Sequence, residues 1–170
     1  MPRSDQGATF ERYKVIPRTL IFVTRGDQVL LLMGASDKRL WANKYNGIGG
    51  HVERGEDIRA AAERELAEEA GICVSPLWLC GTIMVDVYED TGICIFVFRA
   101  EYLGGVLKPG REGGLRWVAR DELARLPLVD DLYKMLPKIL AMTRERPPFS
   151  AHYSYDGDDR LQIVYEGELL

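Results

Sequence analysis

Apolar and polar residues fall along this chain in blocks that mark strands more often than helices. Arg18-Thr19-Leu20-Ile21-Phe22-Val23-Thr24 is rich in β-formers, and Gln28-Val29-Leu30-Leu31-Leu32-Met33 follows it across Gly26-Asp27, which predicts a hairpin. Trp78 to Val87 and Ile93 to Tyr102 flank Glu89-Asp90-Thr91-Gly92 and predict a second. Arg116-Trp117-Val118 reads as a short strand, and Ser150 to Tyr155 with Leu161 to Tyr165 around Asp156-Gly157-Asp158-Asp159 as a last hairpin. From Asp57 to Ala70 the chain places Ala60, Ala61, Ala62, Leu66 and Ala67 among charges. That is the strongest helical segment, and Gly71 stands where a helix ends. Arg120 to Arg125 predicts a short helix. Leu132 to Arg144 predicts a longer one, kinked at Pro137 and ended by Pro147-Pro148. Leu40 to Asn46, holding Trp41 and Tyr45, and Gly104 to Gly114 are predicted loops. Strands and helices mix without regular βαβ alternation, which points to an α+β fold with a mixed sheet. No repeat, low-complexity tract or linker interrupts the pattern, so one domain over residues 1–170 is expected.

Composition narrows the class only a little. Hydrophobic residues make up 46% and charged residues 28% of 170, the balance of a globular protein able to bury a core. No apolar run approaches the roughly 20 residues that span a bilayer, and Met1-Pro2-Arg3-Ser4 opens no apolar secretion segment. The expected location is the cytoplasm, with no membrane partner. Cys73, Cys80 and Cys94 lack metal-like spacing and read as reduced, buried thiols. A net charge of −4 offers no basic field for long nucleic acid. Short phosphorylated ligands remain open if a metal brings positive charge, and no feature specifies an oligomeric state.

The candidate chemistry sits on the strongest helix. Glu65, Glu68 and Glu69 fall within an arc of about 100° on one side of it. Like charges at these offsets repel by a few tenths of a kcal/mol per pair, and a hard divalent cation reverses that sign. Mg²⁺ takes oxygen ligands, with one or two carboxylates, waters and substrate phosphates filling its shell. The apolar Ala62, Leu66 and Ala70 occupy the adjoining arc and would hold the carboxylate edge against the body of the fold. Upstream, Tyr45-Asn46-Gly47-Ile48-Gly49-Gly50-His51-Val52-Glu53 is glycine-dense, as where backbone approaches a phosphate or a metal. For the three glutamates alone, a solvated acidic face is the competing reading.

Gly50, Glu56, Arg64, Glu65, Leu66, Glu68, Glu69, Gly71 and Ile72 together resemble the Nudix box, Gly-x5-Glu-x7-Arg-Glu-aliphatic-x-Glu-Glu-x-Gly-aliphatic, at every fixed position over residues 50–72. The resemblance implies the Nudix fold, a mixed β-sheet sandwiched between α-helices. It also implies an Mg²⁺-dependent hydrolase, with Mn²⁺ able to substitute, in which water attacks one phosphorus of a pyrophosphate linkage. By the same resemblance Glu65, Glu68 and Glu69 are metal ligands, with the Gly50 carbonyl a further one. Arg64 orients a carboxylate of the cluster, Glu56 supports it, and the general base is Glu69 or Glu112.

Beyond the box, the chain is similar to the MutT-homologue branch, which hydrolyses oxidised purine nucleoside triphosphates to monophosphate and pyrophosphate. Tyr45-Asn46-Gly47-Ile48-Gly49-Gly50 resembles that branch's Trp-Asn-Gly-Phe-Gly-Gly, whose Asn reaches the purine. Glu112, five residues before Trp117, resembles a loop glutamate that reaches the metals. Asp130-Asp131 followed by Tyr133 resembles an Asp-Asp-x-Tyr whose aspartates bond the purine edge. The helix and hairpin over about 129–166 have a counterpart there too. Leu128-Val129 stand where the branch places a stacking Trp. With stacking worth about 1–3 kcal/mol, a broad preference among purine triphosphates is expected. The bland readings are Asn46 as a turn residue, Asp130-Asp131 as a helix cap, Glu112 as a solvated charge, and Trp41, Trp78 and Trp117 as core. Other functions remain: cleavage of dinucleoside polyphosphates, for which Tyr88 stands at a suitable offset, removal of pyrophosphate from RNA 5′ ends, and non-catalytic nucleotide sensing. The ADP-ribose branch expects a proline that Met84 to Val87 lacks, and the coenzyme A branch expects a motif absent here.

Overall fold

Two hairpins meet in parallel at the centre of the sheet. The computed structural model describes residues 2–8, 11–36, 41–108 and 113–167. Strands β1 (Lys14–Arg25) and β2 (Gln28–Gly34) are antiparallel, with Val23 opposite Leu30. After β3 (Tyr45–Asn46), helix α1 (Ile58–Glu69) and β4 (Cys73–Val74), strands β5 (Trp78–Asp86) and β6 (Thr91–Gly104) form the second hairpin. β1 lies parallel to β6 from Lys14 beside Thr91 to Thr24 beside Glu101. Then come β7 (Gly113–Ala119), a 3-10 helix over Arg120–Arg125, helix α2 (Leu132–Ala141), β8 (Phe149–Tyr155) and β9 (Leu161–Tyr165). The sheet runs β3-β2-β1-β6-β5-β8-β9, with β4 on β6 and β7 on β2. It is the mixed sheet expected of an α+β fold.

The apolar run in β1 is continuous rather than alternating because both faces of the sheet are covered. Ile21 and Val23 pack with Ala62 and Leu66 of α1. Phe22 packs on the other side with Leu132, Met135 and Leu136 of α2. The alanines of α1 add little bulk between helix and sheet. Asp57 starts α1 by accepting the Arg59 and Ala60 backbone N–H groups at 2.8 and 3.0 Å, a cap worth about 0.5–2 kcal/mol. Gly71, at φ +63°, ends it.

Several expectations need correcting. Helix α2 contains Pro137 but ends at Ala141, before Arg144 and well before Pro147-Pro148. Its last carbonyls are taken from outside. The Arg99 guanidinium on β6 donates to Ile139 O and Met142 O at 3.2 and 3.1 Å, while the Met142 N–H turns back to Ile139 O. Only Cys80 is buried. Cys94 is half-buried, and Cys73 is exposed because β4 is a two-residue edge strand. Trp78 and Trp117 pack partly buried against the two cores, whereas Trp41 is 46% exposed and not core.

Arg99 yields a stability prediction. Hydrogen bonds from charged donors contribute about 1.5–3 kcal/mol, so Arg99→Ala should lower unfolding stability by that amount in a urea titration. An unchanged midpoint would show that α2 ends without its help.

Candidate active site

The glycine-rich approach is laced onto β1. Thr19 N–H donates to Gly50 O at 2.8 Å, Ile21 N–H to Ile48 O at 2.6 Å and Val52 N–H to Pro17 O at 3.1 Å. A Cβ on Gly49, at φ +154°, would overlap the Thr19 carbonyl, and one on Gly50 would overlap the Glu65 carboxylate. The backbone clash requires glycine at 49, and Gly50 brings main chain directly onto a carboxylate fifteen residues later in sequence.

Arg64 is the cross-brace. Its Nε and Nη2 donate to the two oxygens of Glu56 at 3.1 and 2.8 Å, a bidentate pair, and Nη1 donates to Glu65 Oε1 at 2.8 Å. Nη2 also donates to His51 O at 3.0 Å, and Glu68 Oε2 lies 3.7 Å from Nη1. Glu56 accepts the Glu53 N–H at 2.7 Å as well. The Arg64 guanidinium first, and that N–H second, hold the Glu56 carboxyl below the usual range. Glu65 and Glu69 are turned inward, Glu69 only 6% exposed, while the Glu68 side chain is 62% exposed. Among the described residues no three His, Cys, Asp or Glu side chains close into a metal cage. The available donors are all hard oxygens along one helix edge. That suits a cation which takes one or two carboxylates and completes its shell with phosphate and water. Glu112 lies outside the described residues.

Beside this edge opens a cleft of about 720 Å³. Gly49 and the box residues Gly50, His51, Glu53 and Glu65 line it on one side; Arg18, Asn46, Ile95, Val129 and Asp131 line it from the sheet and the start of α2. Trp41 also lines it, at φ +58° in a turn closed by Lys44 N–H to Trp41 O. Asn46 faces the cleft while its Oδ1 accepts the Gly47 N–H at 2.8 Å, so the turn and the cleft readings hold together. The two aspartates part company. Asp131 lines the cleft, and burial pushes its carboxyl up to about 6, against the pull of the backbone N–H groups of Asp131 and Leu132. Asp130 is 77% exposed and pairs with Lys44 Nζ at 2.7 Å. Asp131 makes no side-chain cap bond on α2. Tyr133 braces the approach instead, donating to Leu126 O and accepting from Leu128 N–H. Tyr88 lies in a separate surface depression with Tyr13 and Tyr155. Sequence reading missed Arg18, Trp41, His51 and Glu53 as cleft residues; for Arg18 the only signal is a charge at the head of an apolar strand.

Comparison with known proteins gives the class. A NUDIX domain profile matches residues 14–139, from the first residue of β1 into α2, and the chain belongs to the Nudix family of hydrolases. It is 31% identical over 152 residues to an oxidized purine nucleoside triphosphate hydrolase of Danio rerio, covering 89% of this chain and 92% of that one. It is 31% identical over 137 residues to the NAD-capped RNA hydrolase NudC of Stutzerimonas stutzeri, covering 79% of this chain but only 48% of the relative. Among solved structures, a MutT protein from Bacillus halodurans superposes with a TM-score of 0.75 at 27% identity, over 91% of this chain and all of that one. No helix of the described residues is long and apolar enough to cross a membrane.

Asp131 makes the ligand-free protein pH-sensitive. Its carboxyl sits near 6 when folded against an ordinary 3.8, so the native state holds the proton more tightly. Its contribution is fully present below pH 3.8 and is lost as the pH rises through about 6. Asp131→Asn removes this, so the stability difference between variant and wild type should grow from pH 4 to pH 7, by at most about 3 kcal/mol. A difference that stays flat across that range in thermal melts would mean a carboxyl in contact with water.

Proposed function

We propose that the chain is an Mg²⁺-dependent pyrophosphohydrolase that cleaves a purine nucleoside triphosphate to the monophosphate and pyrophosphate in the cytoplasm. The observation that carries this reading is continuity: Glu65 of the box and the base-side residues Asn46 and Asp131 line one cleft. The name of the Danio rerio relative, similar over nearly its whole length, supports the same substrate class.

In this reading Glu65, Glu68 and Glu69 hold the cation, and the Gly50 carbonyl keeps a lone pair for it after accepting the Thr19 N–H. A cation held there would offset charge on the phosphoryl oxygens and acidify the attacking water. Glu69 receives that water's proton, with Glu112 the rival. Arg64 keeps Glu65 aimed while Glu56 fixes Arg64, and Asn46 and Asp131 hold the base. A second reading, action on capped or triphosphorylated RNA 5′ ends, is favoured by the NudC relative and opposed by the net charge of −4.

The deciding assay measures pyrophosphate release from GTP, dGTP, their 8-oxo forms and a dinucleoside tetraphosphate. The guanine triphosphates should agree in kcat/KM within about tenfold, since Val129 replaces one stacking aromatic. Turnover should vanish in EDTA and return with Mg²⁺ or Mn²⁺. Glu69→Gln should cut kcat by on the order of 10²-fold or more. A hundredfold preference for the tetraphosphate, or full activity in chelator, would falsify the reading.

Arg64→Lys tests the brace separately. Lysine cannot reproduce the bidentate grip on Glu56 together with the bond to Glu65, so kcat should fall at least tenfold while the fold remains. Wild-type turnover in this variant would reduce Arg64 to a surface charge.

A further inference from the structure

Among the described residues, no protein group engages the side chain of Arg18, which lines the cleft. Alternation along β1 puts Arg18 on the face of Leu20, which packs toward the α2-side core, whereas Ile21 packs toward α1. Beside Arg18 in the parallel ladder is Ile95, on the same α2-side face. The Arg18 Nε is shut off from water and has no hydrogen-bond partner, and no carboxylate of the described residues pairs with its guanidinium. A desolvated donor left unmade is costly, so a group of this kind in a cleft calls for a ligand that completes it.

The chemistry of the two charged residues on this side of the cleft restricts that ligand. Arginine only donates, and an ionised aspartate only accepts. Arg18 and Asp131 line one cleft without forming an ion pair, so a group seated between them must offer acceptors to one and donors to the other. Guanine carries O6 and N7 acceptors on one edge, matched by arginine in bidentate fashion, and a donor N2 amine beside N1–H on the next. Adenine places an N6 amine donor where guanine has O6, facing a residue with no acceptor. Asn46 does not decide between them, because its amide offers both signs. We infer that Arg18 is a base-reading residue that, together with Asp131, selects guanine over adenine in this cleft. The inference rests on the purine-nucleotide reading above and supplies the base.

Binding of nucleoside monophosphates in EDTA tests it without any need for turnover, so a failure of the proposed hydrolysis would be seen separately in the pyrophosphate assay. By calorimetry at pH 8, where Asp131 is ionised, wild type should bind GMP at least about tenfold more tightly than AMP, the size of one bidentate base contact. The 7-deaza analogue of GMP, which lacks the N7 acceptor, should lose most of that advantage. Arg18→Leu should weaken GMP to the level of AMP and leave AMP within about twofold. Arg18→Lys, which keeps the charge but not the fork, should behave like Arg18→Leu. Thermal melts matching wild type confirm that both variants fold, as removal of an uncompensated guanidinium should allow. Equal wild-type affinity for GMP and AMP would overturn the inference. So would an equal loss for both nucleotides in Arg18→Leu, which would place the guanidinium on the phosphate or sugar.

Discussion

The contact between the Gly50 main chain and the Glu65 carboxylate sets the geometry of this molecule. There is no space for a single methyl group between them, so the loop leaving β3 and the middle of α1 are held at one separation. Three further constraints converge on the same spot. Gly50 O is tied to β1 through the Thr19 N–H, Glu65 is tied to Arg64, and Arg64 is tied to Glu56 and to the His51 carbonyl. A carboxylate edge that would repel itself on an isolated helix is thereby locked in register with a strand and a turn. The cross-brace costs little in order, because each side chain immobilised by one bond is used again by the next.

The sheet translates this local lock into a cleft. β1 is central, and its two faces carry different duties: Ile21 and Val23 anchor α1 and the box, while Leu20 and Phe22 face the core around α2. Residues adjacent in sequence thus anchor the box helix on one face and pack toward the α2 core, beside the cleft, on the other. The parallel pairing of β1 with β6 sets Ile95 beside Arg18, and Arg99, four residues further along β6, clasps the C-terminal end of α2, whose N-terminal end presents Asp131.

How much of this was legible depended on the range of the interactions. Helix α1, its cap at Asp57 and its stop at Gly71 were readable because propensity, capping and glycine chemistry are local. Both hairpins and the C-terminal one were readable for the same reason. The box could be recognised because its contacts recur at fixed spacing, although the meaning of Gly50 as a partner of Glu65 required three dimensions. The end of α2 was misread because what stops it is Arg99, some forty residues upstream in sequence and invisible to any local rule. Asp130 and Asp131 look interchangeable in a string; in the fold Asp130 is exposed and paired with Lys44, while Asp131 is half-buried in the cleft. Cys73 was misjudged because a two-residue edge strand leaves no pattern.

Arg18 and Asp131 differ from the charged groups of the box. Arg64, Glu56 and Glu65 satisfy one another, so their energies are settled before any ligand arrives. Asp131 is a carboxyl raised by burial, and Arg18 is a guanidinium with a dry, unengaged nitrogen; both line the cleft. Moving the two into contact would relieve both, yet the fold keeps them apart on separate elements across an open cleft. Strain that is local, opposite in sign and facing the same space is relieved only by something that enters that space. The catalytic edge is built to be rigid by itself, and the recognition wall to be incomplete by itself. On the proposed reading, a change at Arg18 or Asp131 would alter what is selected without disturbing the carboxylates held by Arg64.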